Sequence, residues 1–368
     1  MSESKGLGLN NYSVYMPSYS IGDGRVYEKI GSICASYGNK AVIIGGKRAM
    51  AAAVSHIRKN ALSVGIEITG ELWYGGEASY ENAATLAEKD EVKRADYIFA
   101  VGGGKALDTS KCLGIKTGKS VFTFPTIAST CAACTSVAIM YNPDGTFKEP
   151  FFFEKPPVHA FINTDIIAAA PYKYMWAGMG DTYAKYFEAT VSSRGEEIPH
   201  YFELGAVVSR MCCEPVLKYG AKALEQNKSG VSGYELEQCV LAIIVSTAIA
   251  SILLTQEHTV HYNSGLAHAI FYSLTRYPHI EQRHLHGEVV GFGVLILLLC
   301  DENESNFNRL YAFNKSVGLP IRLADIEITR EQLDEVLPAV LGASDIAHNP
   351  YVITEQMLKK AFDKLESL

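Results

Sequence analysis

Tyr97–Lys111, YIFAVGGGKALDTSK, decides the fold. Tyr97 to Val101 are consecutive apolar residues and read as a buried strand, Gly102, Gly103 and Gly104 as a turn, and Lys105 onward as a helix. A strand, a glycine turn and a helix make the unit from which parallel, helix-covered sheets are built. Bare backbone N–H groups at such a turn, with a helix N-terminus behind them, suit a pyrophosphate, because a Cβ would block the approach. The loop is neither G-x-G-x-x-G nor a Walker motif, so taken alone it serves equally well as a plain turn. Asp108 and Lys111 read as residues of the helix's solvated face.

The pattern repeats on either side. AVIIGG (Ala41–Gly46) reads as a second buried strand entering a helix at Lys47, SVFTFPT (Ser120–Thr126) as a third and VHAFINTDII (Val158–Ile167) as a fourth. After Pro171 strand-like runs give way to helical periodicity, over Gly180–Val191, Tyr201–Tyr219, Leu236–Thr255, Gly265–Leu274, Gly287–Leu299 and Glu355–Leu365. A chain of 368 residues accommodates two cores. The expected architecture is an α/β dinucleotide-binding domain with a parallel sheet over residues 1–168, followed by an all-α metal- and substrate-binding domain over 169–368.

Hydrophobic residues make up 48% of the chain and charged residues 20%, the composition of a packed globular protein. A formal net charge of -7, with no Lys/Arg-rich run, leaves nothing to neutralise a phosphate backbone, so no nucleic-acid partner is expected. The start, MSESKGLGLNNY, lacks the pattern of a secretory signal. The apolar runs Leu241–Leu254 and Val289–Cys300 are shorter than a bilayer demands, so no membrane association is expected either. Eight cysteines without a leader fit a reducing compartment, the cytoplasm. Cys131 and Cys134 form a C-x-x-C, but outside the thioredoxin-like context that a redox dithiol uses.

A dinucleotide site selective for NAD places a carboxylate after a strand such as AVIIGG, where it grips the ribose 2′-hydroxyl. Here Gly45 and Gly46 hold that place and Lys47 and Arg48 follow, which suits the 2′-phosphate of NADP, with NAD as the alternative. The two cations serve equally well as surface helix residues.

Six of the ten histidines, His258, His261, His268, His279, His284 and His286, fall within one short stretch. Histidine and carboxylate are ligands for Zn²⁺ and related ions, and a catalytic site uses three of them and keeps a position open. His268 lies in the apolar GLAHAIF, where a lone imidazole is costly to bury. His286 starts an apolar helix. His284 and His286 are too close in sequence to face one point from a regular element, so at most one is a ligand. Taken singly, each histidine reads more readily as structural. Asp181, in AGMGDTYAKYFEA, follows two glycines that read as a helix start, and reads first as a helix-capping aspartate.

Taken together, GGGKALDTSK, PTIAST, GMGDTYAKYFEA, GLAHAI and HGEVVGFG occur in the order and at about the spacing of a known family. Over nearly its whole length the chain resembles the glycerol dehydrogenase branch of the iron-containing alcohol dehydrogenase superfamily. The resemblance implies the dehydroquinate synthase-like fold, with cofactor and metal in the cleft between the domains, and a homo-oligomer. It implies that Asp181, His268 and His286 bind a divalent metal. It also implies that Gly102, Gly103 and Gly104 hold the pyrophosphate and that Thr126, Ser129, Thr135, Val137 and Tyr141 touch the cofactor, NADP or NAD; Gly46, Lys47, Lys105 and Asp108 complete the candidate cofactor residues. One carboxylate and two neutral imidazoles leave a divalent ion net positive with an open position, where an alcohol loses its proton more readily and a carbonyl is polarised for hydride attack.

Three positions depart from the family. Branches with four iron ligands place a histidine one turn after the aspartate; here it is Lys185, which favours a three-ligand Zn²⁺ site, with Fe, Mn or Ni as alternatives. The aspartate that contacts a polyol after PTIAST is Cys131, and the histidine three residues beyond His268 is Phe271. An acid lost at Cys131 and a cation gained at Lys185 suit an anionic substrate and make both residues catalytic candidates beside the three ligands. TCAACTSVAIMYN and GDTYAK resemble the hydroxycarboxylate dehydrogenase offshoot of the family. The expected reaction is reduction of a small 2-oxo acid to a 2-hydroxy acid, with glycerol or polyol oxidation as the alternative. A dehydroquinate synthase-like lyase and a nucleotide-binding protein without catalysis are the remaining readings.

Overall fold

The computed structural model describes residues 12–368; the stretch 1–11, which carries most of the leader reading, lies outside the described residues. Its strands are β1 (Tyr19–Gly22), β2 (Lys40–Gly45), β3 (Glu67–Trp73), β4 (Tyr97–Gly102), β5 (Ser120–Pro125), β6 (Val137–Tyr141), β7 (Phe147–Phe152) and β8 (His159–Asn163). Six of them form a parallel sheet in the order β1-β8-β5-β4-β2-β3, and β6 and β7 pair separately as an antiparallel hairpin.

Residues alternate across this sheet and so fill two layers. On β4, Tyr97, Phe99 and Val101 join one core with Ala53, Val54, Ile57 and Ala61 of helix α1 (Lys47–Ser63). Ile98 and Ala100 face the other way, against Leu107 and Leu113 of helix α2 (Gly104–Thr117). In such an open parallel sheet the carboxyl ends of the strands form the crevice where ligands bind.

The strands end at Asn163, and every described element after it is helical, among them α3 (Lys173–Ser192), α4 (Leu266–Leu274) and α5 (His286–Cys300). Four readings are corrected. The run Val158–Ile167 is strand and then helix: the Asn163 side chain accepts from the Asp165 N–H at 3.0 Å and caps a helix over Thr164–Ala169. Tyr201–Tyr219 divides at Ser209 into helices His200–Val208 and Arg210–Lys228. The apolar run from Leu241 belongs to a continuous helical segment, Tyr234–Leu254, whose 21 residues are long and apolar enough to cross a membrane; here 72% of its most apolar window is buried within the fold.

Gly178 and Gly180 do not start a helix, and Asp181 caps none, because α3 begins at Lys173 and runs through all three. The glycines are contact points instead. A Cβ on Gly180 would strike the Gly287 carbonyl, and one on Gly287 the Ala177 carbonyl, so α3 and α5 meet backbone to backbone. A Cβ on Gly178 would lie 2.6 Å from the carbonyl oxygen of Ala128, so the loop after β5 also rests on α3.

Candidate active site

Where β2 and β4 end, the sheet opens into a cavity of about 840 Å³. Gly46, Lys47, Gly102, Gly103, Gly104, Lys105 and Thr126 line it, as do Arg48, His56, Trp73 and Tyr74, of which the last three were not anticipated. Gly102 adopts φ 153°, and a Cβ on Gly103 would lie 2.6 Å from Ile127, so this loop needs glycine for its path as well as for access. Gly103 then leads into α2, whose first residues, Gly104 to Ala106, line the cavity. Lys47 lies 4.9 Å from the Trp73 ring centroid, which holds its ammonium at the rim. Among the described residues lining the cavity, Asp165 is the one carboxylate, and it accepts from the Gly24 N–H at 3.1 Å, away from β2.

The cavity reaches Thr126 and Ile127; two residues further, Ser129 has its Cα 3.0 Å from where a Cβ on Gly178 would stand. Asp181 lies just beyond on α3. Its Oδ1 is 3.5 Å from Nε2 of His268 and 3.4 Å from Nε2 of His286. A tetrahedral ion with bonds of about 2.1 Å sets its ligands about 3.4 Å apart. Among the described residues this is the one group of three or more His, Cys, Asp or Glu donors close enough to hold an ion. The donors therefore fit a divalent metal, with one carboxylate and two imidazole nitrogens around a common point.

Burial alone would raise the Asp181 carboxyl, but the two imidazoles beside it hold it well below the usual carboxylate range. Burial likewise opposes charge on His268, and Glu188 and Asp181 outweigh it, raising the imidazole to about 10. A proton on that nitrogen and a metal ion compete for the same lone pair. His284 takes no part in the group: its Nδ1 bonds Glu288 Oε1 at 2.8 Å.

The other candidates divide. Lys185 is buried one turn after Asp181, and its ammonium donates to the Oδ1 and carbonyl oxygen of Asn263, at 2.9 Å for Oδ1. The Cys131 thiol is pushed up to about 12 by burial, with Asp181 adding to the effect, and so stays neutral. Burial raises Cys134 as well, which leaves neither thiol activated. Asp108 and Lys111 are not on a solvated face. They are buried and paired at 2.8 Å, and Lys111 also donates to Thr135 Oγ1 at 3.3 Å and to the Val137 carbonyl at 2.6 Å. This network fixes the base of the β6–β7 hairpin; Asp108, Ser129, Thr135, Val137 and Tyr141 are not among the cavity's lining residues.

Two residues at the site went unforeseen. Glu188, fully buried two turns after Asp181 on α3, bonds His268; the helical period places it on the aspartate's face, and that was its available signal. Tyr272, half-exposed, has its ring centroid 6.1 Å from that of His268 and 6.4 Å from that of His286.

A parallel nucleotide-type sheet opening toward a carboxylate and two imidazoles is the architecture of a metal-assisted dehydrogenase. The chain belongs to the iron-containing alcohol dehydrogenase family, in its glycerol dehydrogenase-like branch, and the family description matches residues 17–163. A glycerol dehydrogenase of Thermotoga maritima is 33% identical over 296 residues, covering 77% of this chain and 78% of that protein. Hydroxycarboxylate dehydrogenase A of Escherichia coli is 29% identical over 334 residues, 89% of this chain and 90% of the relative. The crystal structure of a probable glycerol dehydrogenase from Sinorhizobium meliloti 1021 superposes with a TM-score of 0.80 at 25% identity, covering 97% of this chain and 99% of that one. The protein is thus an oxidoreductase of the alcohol dehydrogenase type.

Proposed function

We propose that this chain transfers a hydride between NADP(H) and a small polyol or hydroxyaldehyde, at a zinc ion held by Asp181, His268 and His286. The observation that carries the reading is the spacing of three donor atoms beside the end of a dinucleotide cavity. The several glycerol dehydrogenases among its relatives favour a polyol over the 2-oxo acid expected from the sequence. When bound, the ion would lower the pKa of an alcohol and polarise a carbonyl, and the nicotinamide would accept or deliver the hydride.

The chain's own groups do the rest. Gly102, Gly103 and Gly104 would let the pyrophosphate approach the start of α2. Lys47 and Arg48, with no carboxylate at Gly45 or Gly46, would receive the 2′-phosphate. Thr126 and the Ser129 loop, resting on α3, would set the nicotinamide against the carbon whose oxygen the ion would hold. Eight unpaired cysteines support work in the reducing cytoplasm.

A second reading, reduction of a 2-oxo acid, is favoured by Lys185 and the neutral Cys131, which leave the site more positive than a pocket aspartate would. The similarity to hydroxycarboxylate dehydrogenase A points the same way.

The test is steady-state turnover by zinc-loaded protein of glycerol, propane-1,2-diol, glycolaldehyde and 2-oxobutanoate, with each cofactor. Turnover of the polyols and glycolaldehyde, lost on chelation and faster with NADP(H), is expected. Exclusive turnover of 2-oxobutanoate would move the assignment to the second reading. No turnover of any of them by protein carrying zinc and nucleotide would remove both.

A further inference from the structure

Asp181 lies almost equally far from His268 and His286, yet the two imidazoles are held differently. The side chain of His286 is 38% exposed, at the very start of α5. That of His268 is 9% exposed, and behind it stands Glu188, whose side chain is fully buried at 0%. Glu188 Oε2 lies 2.6 Å from Nδ1 of His268, and Oε1 accepts from the backbone N–H of the same residue at 2.9 Å. Both carboxylate oxygens are thus spent on one histidine, in the first turn of α4, where helix N–H groups lack partners. Gly265 closes the arrangement: a Cβ there would stand 3.2 Å from Cβ and Cγ of Glu188.

A carboxylate has only lone pairs to offer, so the ring nitrogen beside it carries the proton. In the neutral ring that a metal requires, the other nitrogen, Nε2, keeps its lone pair, and it is the one that faces Asp181. We propose that Glu188 is the positioning residue of the metal site: it fixes the tautomer and ring plane of His268 and thereby sets the affinity for the ion. The proposal rests on Asp181, His268 and His286 being the ligands. A carboxylate serving only to cap α4 would need the backbone bond alone.

Glu188→Gln separates the two roles. The amide has nearly the same shape, but it offers one acceptor to two donors. With its oxygen on the backbone N–H, its NH2 group faces Nδ1 and favours the tautomer with the proton on Nε2, which cannot ligate. Zinc affinity, measured by competition with a chromophoric chelator, is expected to fall about 10- to 100-fold in a variant that still unfolds cooperatively. Zinc affinity within about twofold of wild type in a variant that folds normally would overturn the proposal.

Cobalt-substituted wild type supplies a second measurement that needs no variant. Its hyperfine-shifted proton spectrum should contain one slowly exchanging imidazole N–H, from the buried His268 and absent in Glu188→Gln, and one fast one from His286. If the variant does not fold, the wild-type spectrum decides alone: a slow N–H supports the proposal and its absence overturns it. Wild type that retains neither zinc nor cobalt would sink the ligand assignment itself, a result distinct from equal affinity in the two proteins.

Discussion

Gly180 carries no chemistry, yet a methyl group there would fall on the Gly287 carbonyl and push α3 away from α5. Asp181 is the next residue on one helix and His286 the residue before the contact on the other, so the displacement reaches two of the three donors. Alanine is favoured over glycine by about 1 kcal/mol in a helix. Overpacking costs typically about 1–3 kcal/mol and is expected to win here, so Gly180→Ala should melt lower and bind less zinc. Calorimetry with metal analysis checks this; a variant that melts higher with its full zinc would show that the helices can part without harm. The sequence pointed to the three candidate ligands only as a set, because each alone has an ordinary explanation. It concealed the glycines' purpose, since a glycine within a helix and one at its start look alike until the partner helix is known.

At the scale of elements, β2, β4 and β5 were legible because each is a largely apolar run ending in Gly or Pro, broken in β5 only by Thr123 after its first residue, and buried parallel strands have that composition. β3, EITGELW, mixes polar residues at an edge of the sheet, and β6 and β7 form a hairpin outside it, so neither pattern stood out. Asp108 and Lys111 misled for a related reason: two charges one turn apart suggest solvent, and here they neutralise each other in the core. Lys111→Met would leave the Asp108 carboxyl buried without its cation, at a cost of about 3–5 kcal/mol, and denaturant titration should read it.

The β1–β8 pair holds a second polar device. His159 lies between Ser18, 2.7 Å from Nδ1, and Ser20, 2.9 Å from Nε2. Burial lowers it from 6.5 to about 4. Its contribution is therefore complete above pH 6.5, where folded and unfolded chains are both neutral, and is lost as pH falls toward about 4 and the unfolded chain takes up the proton first. Wild type should lose on the order of 2 kcal/mol across that window relative to His159→Asn. Parallel pH profiles of the two proteins would refute this.

Across the whole molecule the three donors proposed for the metal come from three helices, α3, α4 and α5, so a bound ion would cross-link the helical lobe. Zinc at 100 times its dissociation constant is worth about 2.7 kcal/mol, and chelation should lower the melting temperature accordingly. Thermal scans with and without chelator test it; superposable curves would mean that no ion is held. The loop from Thr126 to Thr130 meets α3 at Gly178, a turn before Asp181, so the end of the cavity proposed for the nicotinamide and the pocket proposed for the ion have a wall in common. Any factor by which zinc tightens NADPH must equal the factor by which NADPH tightens zinc. Four titrations, each ligand with and without the other, should close a thermodynamic square whose opposite sides differ by the same amount, and that difference should be well away from zero.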